Sequence, residues 1–504
     1  MAYCTNSESF FLHLHALHKL SPLALLHTHA VLFFVFAFHF FGFFRCALAF
    51  SFKMCYTMTK SLAAAEAVTS HERNPRTIMK KQAFPRAAIT PKGEKALRGG
   101  HPWVYADEIV ELPCPPADGD PVDVYSTKDK YLGTGFYNSH SKIRIRILSR
   151  NANDTFDEAY WERRLRYAVA YRRTVMGETD FRACRLIFGE ADGFPGLTVD
   201  RFENALVAQV LCLGTERIRD TLFSALVRIL REEYGARIDV LYLRNDVAIR
   251  ELEGMAQYTG FYTAEGLDLR SEADETACAA AESRDFGTVT ITENGIRYTV
   301  DYINGQKTGF FLDQKYNRRA IRRIAEGKTV LDCFTHTGSF GLNAAAAGAK
   351  RVTSVDISAD ALAMASKNAA QNGLSEVIEY VEADVFDYLK SLSEAGRKGC
   401  PYDFIILDPP AFTKSRDTLR NAIKGYREIN AAAMRLLPRG GYLATCSCSH
   451  FMTDTYFKQM LHNAAEDAGV SLRQIEARQQ GPDHPILWNV PETDYLGFYI
   501  FQIV

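Results

Sequence analysis

Two cysteines, Cys446 and Cys448, stand at the end of the apolar run that opens at Gly441, and Asp408-Pro409-Pro410-Ala411-Phe412 closes another apolar run, Tyr402 to Leu407. A strand-end thiol and a strand-end carboxylate are the pair that covalent catalysis uses, the thiolate as nucleophile and the acid to hold or move a proton. The cysteines lie two apart, so they point the same way if the strand continues and diverge if the chain has turned into loop. A buried small hydrophobe is the commoner fate of a free cysteine, and the two compete on these grounds.

A second constellation runs from Thr329 to Asp356, TVLDCFTHTGSFGLNAAAAGAKRVTSVD. Thr329 to Phe334 reads as a buried strand, His336 to Ser339 as a tight turn, and the alanine-rich run after it as a helix. The next short strand ends on Asp356, about twenty residues after the glycine turn, where a carboxylate can accept from both hydroxyls of a ribose. The turn is not GxGxxG. A dinucleotide needs several glycines against its pyrophosphate, and here only Gly338 and Gly341 are available, so a nucleoside cofactor without phosphate, S-adenosylmethionine, suits it better. Asp384 ends a third strand, where it could accept from an adenine amino group, and Asp408 ends the fourth.

These residues need a doubly wound sheet to bring their strand ends together, which assigns 286–504 to a Rossmann-like α/β domain. Between its opening hairpin and its first strand lies Asn304-Gly-Gln-Lys-Thr-Gly-Phe-Phe-Leu-Asp-Gln, which has no core pattern and reads as a candidate lid carrying aromatics toward the cofactor. Upstream, 79–153 contains several short β runs and reads as a small β-barrel. Its last strand alternates Ile143, Ile145 and Ile147 with Lys142, Arg144 and Arg146, a cationic stripe that would fit a phosphate backbone. Residues 154–285 read as a middle α/β domain ending in an acidic linker. Arg185, Glu190, Asp192, Asp200 and Arg201 crowd its central turn and are expected to pin that turn by charge pairs.

With 504 residues the chain has room for about three domains, and its net charge of -1 makes any polyanion site a local patch, not a global field. The 11 cysteines are scattered without CxxC pairs or metal-ligand spacing, so neither a metal nor a disulfide scaffold is expected. Residues 1–78 differ from the rest: Ala30 to Phe44 and Cys46 to Phe52 are apolar and Phe-rich, yet the uninterrupted part is shorter than the roughly twenty residues of a membrane span. The expectation is an extension upstream of a start at Met79, with a membrane anchor as the alternative; N-terminal sequencing decides between them.

From about residue 87 onward the chain resembles the bacterial family of large-subunit ribosomal RNA cytosine-5 methyltransferases, which join a PUA domain, a middle α/β domain and a Rossmann-like class I methyltransferase domain. The stretches that carry the resemblance are HPWVY at His101, GEADGFPGLTVDRF at Gly189, GQKTGFFLDQ at Gly305, DCFTHTGSF at Asp332, VDIS at Val355, DPPAF at Asp408 and CSCSHFM at Cys446. The resemblance implies S-adenosyl-L-methionine as cofactor, held near Asp332, Phe334, Thr337, Gly338, Asp356, Ile357, Asp384 and Asp408, with Gln306, Lys307 and Gly309 beside it. It implies Cys448 as the nucleophile toward cytosine C6, a packing role for Cys446, and Asp408 on the cytosine N3 or amino edge. Ala411 stands where many such enzymes carry a second cysteine, which leaves the acceptor of the C5 proton open. It also implies ribosomal RNA as partner, contacted by Lys142, Arg144, Arg146, Lys414, Arg416 and Arg420, and a cytoplasmic protein; a homodimer is compatible with this and no stable membrane partner is expected. Two rivals are an amino-group methyltransferase, since DPP-aromatic resembles the NPPY-type motif, and a non-catalytic RNA-binding assembly factor.

Overall fold

The computed structural model describes residues 84–263, 287–394, 400–413 and 415–504. The N-terminal stretch 1–78, the acidic segment 264–285 and Lys414, on each of which the sequence raised an expectation, lie outside the described residues.

The first folded region is one six-stranded sheet from Arg86–Ile89 to Ile143–Ser149. Its core is a small set of alternating aliphatic residues, among them Ile89, Val104, Val122, Val124, Ile145 and Ile147. The helix Glu158–Asp180 then leads into a five-stranded sheet, Ala183–Phe188 to Tyr258–Phe261, with the helix Arg219–Tyr234 packed on it. The turn at Gly189 is pinned as its charges predict. Arg185 Nε and Nη2 donate to the two carboxylate oxygens of Asp200 at 2.7 and 2.9 Å, and the buried Arg172 pairs with Asp192 at 2.5 Å.

Beyond the hairpin Thr288–Glu293/Ile296–Asp301, a seven-stranded sheet is ordered Ile378–Glu382, Arg351–Asp356, Thr329–Cys333, Phe404–Leu407, Tyr442–Ser447, Gly497–Ile503, Leu472–Arg478. The first five are parallel and the last two run antiparallel to their neighbours. Strands such as Phe404-Ile-Ile-Leu are buried throughout, as a sheet covered on both faces requires. The strand order reverses between Thr329–Cys333 and Phe404–Leu407, and ligands of open α/β sheets bind outside the carboxyl ends of the strands at such a point. Cys333 is paired with Leu407 there, so Asp332 and Asp408 flank the crevice.

The hairpin and the helix Lys315–Ala325 join this domain to the middle one. Arg318 and Glu293 form a pair buried on both sides, and the fully buried Lys315 donates to the carbonyls of Asp180 and Ala183. The segment from Tyr302 to Phe311 is not a free lid. Thr308 donates to Asp200 at 2.6 Å, Arg244 holds the carbonyls of Tyr302 and Gly305, and Phe310 is buried in the shared core. Its lack of a core pattern reflects anchoring by polar contacts from the middle domain.

Candidate active site

At the strand end of Thr329–Cys333 the chain turns back on itself through two non-glycine residues with left-handed backbone, Phe334 at φ 62° and His336 at φ 50°. Such strain persists only where surrounding contacts fix it. Here the His336 N–H donates to Asp356 Oδ2 at 2.8 Å and Gly338, at φ 83°, leads into the helix Ser339–Ala346. A side chain on Gly341 would stand 2.5 Å from Ser354 Oγ and 2.9 Å from Asp332 Oδ2, so the helix approaches the strands only because that position is bare. Asp332 is fully buried. Its Oδ2 accepts from Thr335 Oγ1 and the Gly341 N–H, while Oδ1 has no partner, and the Thr337 hydroxyl beside it is likewise buried and unpartnered. Burial, opposed in part by those two donors, pushes the Asp332 carboxyl up to about 7. A buried carboxylate with an idle oxygen is costly by itself and is stabilised by a cation; the methionyl ammonium and sulfonium of S-adenosylmethionine are cations that fit this turn.

The other expected cofactor residues differ in how free they are. Asp356 accepts from the backbone N–H of His336 and of Ser358, so it stiffens the turn as well as facing the crevice. Asp384 is exposed, and its Oδ1 accepts from Phe386 and Asp387 at the start of the helix Val385–Glu394. Ile357 is 68% exposed, and Phe334 belongs to an aromatic wall, 6.5 Å from Phe412, which in turn stacks near Phe386 and Tyr426. Phe311 contacts the His336 ring at 5.2 Å and so joins the GQKTGFFLDQ segment to the turn that follows Cys333. Gln306 and Lys307 are exposed and Gly309 closes their turn onto the Gln306 carbonyl.

The two cysteines part company at Ser447, where the strand ends. Cys446 is buried, and its thiol donates to Asp408 Oδ1 at 2.8 Å. Gln314 Nε2 donates to the same oxygen at 3.0 Å. Cys446 therefore does more than pack: it supports the carboxylate that the motif singled out. Burial pushes Asp408 up to about 6, against the pull of those two hydrogen bonds. Cys448 lies one step beyond the strand, in the wall of a cavity of about 490 Å³ also lined by Arg185, Lys307, Asp313, Ala411, His450 and Tyr495. Burial, with Asp408 nearby, pushes its thiol up to about 12, while Lys307 opposes this. The thiol is thus neutral near pH 7 and its attack must be coupled to loss of its proton.

The chain belongs to the ribosomal RNA large subunit methyltransferase I family. It is 37% identical over 411 residues to the protein of that name from Pseudoalteromonas translucida, covering 81% of this chain and 97% of that protein. It is 40% identical over 408 residues to the one from Photobacterium profundum, covering 80% and 96%. Residues 249–493 match an S-adenosylmethionine-dependent methyltransferase family and 88–150 a PUA-like domain. The fold is shared with a putative SAM-dependent methyltransferase from Streptococcus mutans, at TM-score 0.66 and 23% identity over 83% of this chain and all of that one. A further solved neighbour with the same scores is a putative methyltransferase complexed with SAH. The protein is a SAM-dependent methyltransferase with a PUA-like N-terminal domain and a class I catalytic domain.

The cationic stripe of the PUA-like domain needs correcting within this family frame. Lys142 is exposed and Arg144 half-buried, but Arg146 is 8% exposed and pairs with Glu190 at 2.9 Å and Glu253 at 3.1 Å. The middle domain covers that end of the strand, so Arg146 faces carboxylates and not solvent. Arg416 and Arg420 are exposed, whereas Arg427, further along the helix Leu419–Leu436, is held by both oxygens of Asp467. Sequence reasoning missed Asp313, which lines the cavity, and Gln314, which holds Asp408, although both lie inside a stretch it had singled out; it also missed His484 and Tyr495 in the cavity wall, for which no local pattern exists.

Proposed function

We propose that this enzyme forms 5-methylcytosine in large-subunit ribosomal RNA through a covalent bond between Cys448 and cytosine C6. The observation that carries the reading is the division of labour between the two thiols: Cys448 opens into a cavity large enough for one base, and Cys446 is withdrawn onto Asp408. Cytosine C5 is a poor nucleophile until a thiolate adds to C6 and makes C5 enamine-like. Asp408, poised near pH 6, is suited to pass the thiol proton to N3 as the ring takes up charge. When bound, the cofactor supplies the electrophilic methyl group at the adjoining turn. The names of the curated relatives support ribosomal RNA as substrate, and a second cavity supports delivery of a single-stranded segment. That cavity, about 1460 Å³, is lined by Trp103 and Tyr105 of the PUA-like domain, Arg416, Tyr456 and Trp488, and shares His450, Phe451, Glu492 and Tyr495 with the first. Aromatic rings beside an arginine suit splayed bases. Cytoplasmic residence follows from this substrate, and among the described residues no helix is long and apolar enough to cross a membrane.

The test is RNA carrying 5-fluorocytosine at the target, since fluorine cannot leave as a proton and the adduct persists. Wild type is expected to be trapped, Cys448→Ser to lose trapping and turnover, and Cys446→Ser to keep trapping. Full methyl transfer by Cys448→Ala would exclude the covalent route.

A further inference from the structure

The methyl group leaves a sulfonium as a cation equivalent, so each turnover must release one proton, and in the cytosine-5 reading that proton comes from C5. Ala411, in the cavity wall, offers no group to take it. Asp313 does. It sits on the 3-10 turn Leu312–Gln314, lines the cavity with Cys448, and is 7% exposed. Its Oδ2 accepts the Tyr495 hydroxyl at 2.7 Å, and its Oδ1 is buried with no partner. The next residue, Gln314, holds Asp408, so one turn sets the two carboxylates relative to each other.

We propose that Asp313 Oδ1 accepts the C5 proton of the methylated adduct. The C5–H bond breaks toward the carboxylate, its electron pair forms the C5–C6 double bond, the C6–S bond breaks with its pair going to Cys448 Sγ, and the N3 proton returns through Asp408 to that sulfur. The carboxyl then gives its proton to solvent. This assignment rests on the cytosine-5 reading. Burial pushes the Asp313 carboxyl up, but His484, Lys307, the Tyr495 hydroxyl and Arg185 together bring it below the ordinary range, in contrast to Asp408. Two carboxylates whose environments separate them in this way suit opposite proton roles. The other bases at the cavity are less well placed: His450 is exposed, Glu492 stands 3.4 Å from His101, and the buried His484 stands 3.1 Å from Asp483 Oδ1.

The experiment uses RNA tritiated at cytosine C5 and cofactor with a 14C methyl group. Wild type is expected to release one tritium per methyl transferred; methyl transfer without tritium release by wild type would instead refute the cytosine-5 reading itself. Asp313→Asn should transfer about one methyl per enzyme into a denaturation-resistant RNA–protein adduct that retains its tritium, with turnover down by about 10²–10⁴. Cofactor binding by calorimetry checks its fold. Asp313→Glu should recover tritium release, and His450→Ala should keep the wild-type ratio. The proposal is overturned if Asp313→Asn releases tritium with methyl at near the wild-type rate. It is also overturned if Asp313→Asn binds cofactor but transfers no methyl, or if Asp313→Glu binds cofactor without recovering release.

Discussion

The Cys446 thiol donates to Asp408 Oδ1 at 2.8 Å, so the cysteine withdrawn from the cavity tunes a carboxylate near Cys448, the one that lines it. That hydrogen bond favours the ionised form of Asp408 and offsets part of the upward push of burial. In Cys446→Val the offset is lost and the Asp408 carboxyl moves further up. The limb of the pH–rate profile that reports Asp408 is expected near pH 6 in wild type and at higher pH in the variant, read from single-turnover methyl transfer. An unmoved limb would assign it to another group.

Asp332 is expected to couple stability to cofactor binding. Its folded carboxyl, at about 7, lies above the ordinary value of about 3.9, so the native state binds more protons than the unfolded one between those values. Stability through this group is therefore full below about pH 4 and is lost as pH rises through about 7. Asp332→Asn retains an acceptor for Gly341 and Thr335 without the charge. It should raise the unfolding midpoint of the cofactor-free protein at pH 7.5 by about 2 °C or more and lower cofactor affinity at least about tenfold, about 1.4 kcal/mol. Scanning calorimetry and titration calorimetry read the two effects.

The Arg318–Glu293 pair holds the hairpin against the helix Lys315–Ala325, and Arg318 also donates to the Phe311 carbonyl at 2.8 Å, beside the cofactor turn. Glu293→Ala leaves a buried guanidinium unpaired and should cost about 3–5 kcal/mol in denaturant unfolding. The double variant Glu293→Met with Arg318→Met should recover most of that loss.

RNA affinity is expected to depend on Lys142, Arg416 and Arg420 and not on Arg146. Each lost phosphate contact should reduce the salt slope by about 0.7–0.9, so Lys142→Ser with Arg416→Ser should flatten it by about 1.4–1.8 if both reach phosphates. Arg146→Ser should instead lower thermal stability, since Glu190 and Glu253 lose their shared partner. Trp488, 98% exposed in the second cavity, should contribute about 1–3 kcal/mol to single-strand binding if a base stacks on it. Trp488→Ala in a filter-binding assay reads this.

What the sequence determined by itself is what local chain chemistry dictates. Buried parallel strands read as unbroken apolar runs, a strand end must be followed by a turn, and the residues there sit within a few positions of one another; hence Asp332, Gly338, Asp356 and Asp408 were legible, as was the charge-pinned turn around Asp200. Tertiary structure decided whatever depended on what covers a face. The stripe Lys142, Arg144, Arg146 is regular in sequence, but the middle domain buries its last member. Cys446 and Cys448 are equivalent in spacing until the strand ends between them and turns one thiol onto Asp408 and the other into the cavity. Asp313 shows no local signal of its role, because its hydrogen-bond partner Tyr495 is 182 residues away in the chain, and only folding puts a long-range donor and an idle carboxylate oxygen at the same wall.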